Sequence, residues 1–194
     1  MTGSGPSAAL VTRIALLAVV AVFLQTGVVS EVPLFGVNID LSPLVVAFVG
    51  LLCGSTVGAV TGFAVGLLVD LTLVQTLGVT SLIFTLVGYW SGRLKELRDP
   101  QAAITPLLVG AAATAGSLVG YSIVEFLLGV DAPVSLELLR QILIGIVLNT
   151  VVALPVWAVV RRILEGGLPD DPRRRRRRRR AYTTGGLSPL SRHT

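Results

Sequence analysis

The stretch Cys53 to Leu71 reads CGSTVGAVTGFAVGLLVDL, and in it Gly54, Gly58, Gly62, Gly66 and Asp70 recur every four residues. On a helix, residues four apart form a ridge along one side. Glycines on that ridge let a second helix approach closely. In lipid, such close approach is a main source of helix association, because acyl chains are as apolar as leucine. A carboxylate at the end of the ridge is costly unless it meets a partner, a pore or the interface. The stretch therefore predicts an all-α membrane bundle and singles out Asp70.

The rest of the chain agrees with that class. It has 194 residues, 53% hydrophobic and only 14% charged, well below the charge of a soluble domain. Its apolar residues form blocks at about Ala8–Val29, Leu44–Leu52, Gly54–Asp70, Val79–Trp90, Ile104–Leu128 and Leu138–Val160, several long enough to cross a bilayer. The one cysteine, Cys53, rules out an internal disulfide, and the one histidine, His193, stands in the C-terminal tail. These counts predict no metal site and no cofactor, and leave little for histidine-based catalysis. The net charge of +5 belongs to the tail: taking away the eight consecutive arginines leaves −3.

Lysine and arginine in short loops set orientation. The segments 93–98 and 161–180 are basic, whereas 30–42 and 129–137 carry acids and no Lys or Arg. Both termini are therefore expected in the cytoplasm, and residues 43–92 must cross an odd number of times. Three crossings give six transmembrane helices, the second and third short or broken; four helices with a re-entrant hairpin is the rival. Ser42-Pro43 reads as an N-cap followed by proline at the first helical position. The run Ile14–Leu24 imitates a signal-peptide core, but Gln25-Thr26-Gly27 is a poor cleavage site, so a retained first helix is expected. Residues 1–165 form the polytopic domain, and 166–194 a disordered basic cytoplasmic tail.

Several polar residues lie within or beside apolar blocks. Asp70 either meets headgroup water or makes a specific contact, with a partner or as a hydrogen bond that holds the 70–78 loop. Glu125, four after Tyr121, reads as an interfacial carboxylate. Asn149, in LIGIVLNTVVALP, and Gln25 read as interhelical hydrogen-bonding groups, and Pro155 is expected to kink the last helix. Arg140 begins that helix and could pair with Glu137 or reach the interface. A second small-residue cluster contains Gly110, Ala111, Ala112, Ala113, Ala115, Gly116, Ser117 and Gly120; Gly116 and Gly120 repeat the four-residue spacing.

The arginine run Arg173, Arg174, Arg175, Arg176, Arg177, Arg178, Arg179 and Arg180 reads as an anionic-lipid contact that enforces topology, at about 1 kcal/mol per arginine near the surface. Docking of an acidic partner is the sharper alternative. Nothing supports specific nucleic-acid binding, since no aromatic residues interleave the run. No HExxH, GxSxG or GxxxxGK[ST] pattern is present. A carboxylate pair of Asp70 and Glu125 is conceivable, but the sequence does not fix their separation, and no enzymatic activity is expected.

The segment Gly62 to Gly92, GFAVGLLVDLTLVQTLGVTSLIFTLVGYWSG, resembles the central signature of the rod shape-determining protein MreD family: a Gly-x3-Gly-x3-Asp helix, a short Leu-Gly loop and a helix ending in Gly-Tyr. Here those positions read Gly62, Gly66, Asp70, Leu77, Gly78, Gly88 and Tyr89. The resemblance implies a noncatalytic multi-pass subunit of the bacterial cytoplasmic (inner) membrane, in the cell-elongation machinery. It would work with a bitopic MreC-type protein and the cell-wall elongation synthases, and an oligomer is possible. On that basis Gly54, Gly58, Gly62, Gly66, Asp70, Gly78, Gly88, Tyr89, Gly116, Gly120 and Asn149 are the candidate helix-packing or partner-binding residues. The layout is also similar to the substrate-binding subunits of energy-coupling-factor transporters, the alternative function. Their Ala-x3-Ala docking pattern is missing here, since Ala15, Ala18 and Ala21 are spaced by three.

Overall fold

A computed structural model describes residues 7–29, 39–73, 77–97, 104–129 and 136–166. Among them are six helices and no strand: α1 (Ala8–Leu24), α2 (Leu41–Cys53), α3 (Ser55–Leu73), α4 (Val79–Leu97), α5 (Thr105–Leu127) and α6 (Leu136–Glu165). A π-helical turn, Gln25–Val29, continues α1. Four segments are long and apolar enough to cross a membrane: Ala8–Gly27, Ser55–Thr72, Thr105–Leu127 and Leu139–Glu165. Together they define a multi-pass membrane protein.

The short helix α2 is the axle of the bundle. Every residue from Ser42 to Leu51 is buried, and all five other helices pack around it. At 13 residues it is about 20 Å long, short of a bilayer core. That is tolerable because protein, not lipid, surrounds its ends. Leu44, Val46 and Phe48 are fully enclosed, and Phe48 meets Trp157 of α6 edge-on at 5.3 Å. The outward sides of the other helices carry Leu16, Phe23, Phe63, Leu86, Val147 and Val151, all exposed, as lipid contact requires.

The helices alternate in direction. Gln25 beyond α1 meets Asp40 before α2, Lys95 near the end of α4 donates to the Leu52 carbonyl near the end of α2, and Arg13 near the start of α1 donates to the Ile163 carbonyl of α6. Arg13, Lys95, Arg161 and Arg162 thus share one end, the basic end. Asp40 and Asp70 lie toward the other.

Three local expectations change. Helix α2 starts at Leu41 with Asp40 at the N-cap, not at Ser42-Pro43, because Gln25 beyond α1 and Asn149 of α6 hold the backbone two residues earlier. Helix α3 is continuous over 19 residues, so only the second helix is short. Gly54 is not on the α3 ridge. It is the corner between α2 and α3, at φ 103°, a conformation that only glycine adopts freely. Pro155, the residue expected to kink the last helix, lies inside α6. The tail, with Arg173 to Arg180, lies outside the described residues.

Candidate functional site

The glycine ridge is pressed against α4. A Cβ added at Gly58 would fall on the Gly88 carbonyl, one at Gly62 on the Phe84 carbonyl and one at Gly66 on the backbone of Ser81. The relation is reciprocal: a Cβ at Gly88 would strike the Gly58 carbonyl, and one at Gly92 the backbone of Ser55. Gly50 of α2 joins the same contact, with its Cβ position 2.5 Å from the Gly88 oxygen. The two helices and α2 therefore touch backbone to backbone. Gly92 and Gly50 belong to this seam but were not among the candidate residues. The signal for Gly92 was present, since it stands four after Gly88.

Asp70 closes the seam. It is fully buried. Its Oδ2 accepts from the Gly78 amide at 2.8 Å and the Ser81 hydroxyl at 3.4 Å, and its Oδ1 accepts from the Thr80 amide at 3.3 Å. These amides are among the unsatisfied donors at the start of α4, where the helix dipole also favours negative charge. Asp70 thus caps α4 from the neighbouring helix and ties the two ends of the 70–78 loop, rather than meeting headgroup water. Gly78, at φ 99°, makes the turn into α4.

A second polar group joins α1, α2 and α6. Gln25 donates from Nε2 to Asp40 Oδ1 and to the Ile39 carbonyl, both at 3.0 Å, and accepts from the Leu41 amide at 2.6 Å. Asn149 Oδ1 accepts from the Asp40 amide at 3.0 Å. Two free amides at the start of α2 are thereby satisfied by side chains of its neighbours. Burial pushes the Asp40 carboxyl up to about 6, against the lowering effect of the Gln25 hydrogen bond. Glu125 is exposed near the end of α5, whereas Asp70 is enclosed with its oxygens on α4. The structure does not bring them together as a catalytic pair.

The α5 small-residue face is used differently. Gly110 packs on α6, its Cβ position 2.6 Å from that of Ala153, and Gly120 faces Ile83 at 3.3 Å. At Gly116 an added Cβ would meet only Val87 Cγ2, at 4.0 Å. Between α4 and α5 lies an open cavity of about 370 Å³ lined by Leu86, Trp90, Leu94, Ala112 and Gly116, among others. Tyr89 lies half outward beside it. Its ring is 6.0 Å from Trp90, edge-on, and 6.0 Å below the Arg93 guanidinium.

Such a bundle defines a polytopic membrane protein whose buried carboxylate and amides serve helix ends. Comparison with known families makes the class specific. The model of the family described as MreD, rod shape-determining protein MreD, matches residues 8–164, and the chain belongs to that family. Its role is therefore in the determination of rod cell shape. Neither the curated proteins nor the solved structures returned a match.

Proposed function

We propose that the chain is a noncatalytic subunit of the cell-elongation complex in the bacterial inner membrane. In this reading it spans the membrane six times with both termini in the cytoplasm, and holds a bitopic MreC-type protein and the wall synthases together. Family membership over residues 8–164 carries the proposal. The segregation of Arg13, Lys95, Arg161 and Arg162 to one end supports the orientation. The bundle also suits a platform: backbone seams and tertiary caps fix its interior, and its apolar outer faces remain for other membrane proteins.

The test is complementation together with capture. In a rod-shaped bacterium depleted of its own family member, this chain should restore rods and crosslink through its outer helix faces to a single-pass partner. Restored shape without any such crosslink would sink the scaffold role. The transporter-subunit reading has one observation in its favour, the buried and unpartnered hydroxyls of Ser42 and Ser117, which a small polar ligand could engage. Thermal stabilisation by a vitamin at nanomolar concentration would replace the scaffold with that reading.

A further inference from the structure

The eight consecutive arginines Arg173 to Arg180 are the densest charge in the chain, and neither the bundle nor the proposed role uses them. They lie beyond the described residues, but the structure fixes where the chain leaves the bundle. Helix α6 has 30 residues and ends at Glu165. At about 45 Å it is longer than a hydrocarbon core of about 30 Å, so its end stands among headgroups. There the Arg13 guanidinium, from the start of α1, donates to the Ile163 carbonyl at 3.2 Å. A Cβ at Gly166 would strike that guanidinium, so the chain passes closely over it on leaving the helix. The exit is held at the basic end of the bundle. From Glu165 to Arg173 is eight residues, a reach of at most about 28 Å.

Three observations choose the partner. The bundle end near the exit has the same sign as the run: Arg13 and Lys95 lie there, and Glu165 is already paired with Arg161 at 2.7 Å. That end of the protein repels the run. A nucleic-acid strand is held by aromatic side chains that stack on its bases as well as by cations, and the run contains no aromatic residue. A soluble acidic protein must be gathered from solution, whereas headgroups lie within reach of the α6 end, so contact with them is intramolecular. The chemistry also fits, because guanidinium pairs with phosphate in a bidentate fork. Each basic residue near an anionic leaflet favours contact about fivefold. We infer that the Arg173–Arg180 run binds the phosphate headgroups of anionic phospholipids in the leaflet at the basic end. The protein then has a second hold on the membrane, one that responds to lipid composition as its apolar spans do not.

Cys53 is the one cysteine of the chain, so Cys53→Ser with Ala181→Cys places a single fluorophore beside the run in the full-length protein. It is reconstituted in nanodiscs of phosphatidylcholine, with or without phosphatidylglycerol, each containing a trace of lipid with a quencher on its headgroup. The ratio of quenched to unquenched fluorophore should be at least about 25-fold higher with phosphatidylglycerol, the product of two engaged arginines at about fivefold each. Salt at about 1 M, where the screening length falls to about 3 Å, should remove the difference. Exchanging Arg174, Arg176, Arg178 and Arg180 for glutamine should reduce it at an unchanged melting temperature. Equal quenching in the two kinds of disc, or a difference that survives exchange of all eight arginines, overturns the assignment. So does loss of quenching from the phosphatidylglycerol discs on adding micromolar polyglutamate or a single-stranded oligonucleotide, which would give the run to an acidic protein or to a nucleic acid.

Discussion

The substitution Gly62→Ala tests the seam with the smallest possible perturbation. One methyl group is added, and its position falls on the Phe84 carbonyl, with the Thr85 nitrogen 2.9 Å away. Both are backbone atoms, so no side chain can rotate to make room. To restore van der Waals separation α3 and α4 must part by about 1 Å, and a gap of that size forfeits a quarter to a half of each dispersion contact along the seam. Overpacking of this kind costs about 1–3 kcal/mol. The better helix propensity of alanine returns up to about 1 kcal/mol, so the net loss is about 1–2 kcal/mol. For a protein of this size that lowers the melting temperature by about 2–8 °C. Gly116→Ala is the matched control: it gains the same propensity and meets only Val87 Cγ2 at 4.0 Å, so its melting point should stay level or rise. The assay is thermal unfolding of both variants in one detergent, read by loss of the monodisperse peak. Equal melting points for Gly62→Ala and Gly116→Ala would refute the argument, because backbone contact is the difference between the two sites.

Removing the cap should cost more than loosening the seam: Asp70→Ala leaves the Gly78 and Thr80 amides without their acceptor, and about 2–4 kcal/mol should be lost, seen as faster hydrogen exchange at the start of α4. Asp70→Asn keeps one carbonyl oxygen for those amides, so it should retain part of that protection. Gln25→Ala and Asn149→Ala both act on the start of α2, so a double-mutant cycle in melting temperature should show coupling of about 0.5–3 kcal/mol rather than additivity. Asp40 titrates at about 6 in the fold against an ordinary 3.8, so between those values the folded state binds more protons than the unfolded one. Stability should therefore fall as pH rises from 4 to 6, by about 1–2 kcal/mol, and Asp40→Asn should flatten that slope.

How much of this was legible depends on what each residue needs from its surroundings. The four-residue glycine period announced close helix contact, because that follows from helix geometry alone. It did not say which helix would come close. The mirror was nevertheless in the sequence: the pairs Gly58–Gly88, Gly62–Phe84 and Gly66–Ser81 are each centred near residue 73, as an antiparallel hairpin with a short loop demands. Asp70 was singled out by its rarity in an apolar run, but its partners are amides, which carry no residue-specific signal. Gly54 was assigned to the ridge because spacing does not reveal φ. The start of α2 was misplaced for a similar reason: Ser42-Pro43 is a good local start signal, and Gln25 and Asn149 override it from two other helices. The α4–α5 cavity was hidden in a pattern that Gly110, Gly116 and Gly120 all share. Only the neighbours distinguish the glycine packed on Ala153 from the one that faces open space.

The way polar groups are used inside the bundle bears on how such a protein can recognise others. Asp70, Gln25 and Asn149 satisfy helix ends that would otherwise be unpaired in a medium without water. Exchanging one of them should loosen the whole fold and weaken any partner contact as a secondary effect. Exchanging Leu16, Phe23, Val147 or Val151, which are exposed and apolar, should leave melting unchanged, since their outer sides contact lipid before any partner arrives. A partner helix gains no hydrophobic energy on binding such a face and must rely on shape and close packing. Bulky-to-small substitutions there should therefore reduce capture of a single-pass partner without altering stability. If loss of capture instead tracked melting temperature across both groups of variants, recognition would lie in the integrity of the core, and the outer faces would be lipid contact alone.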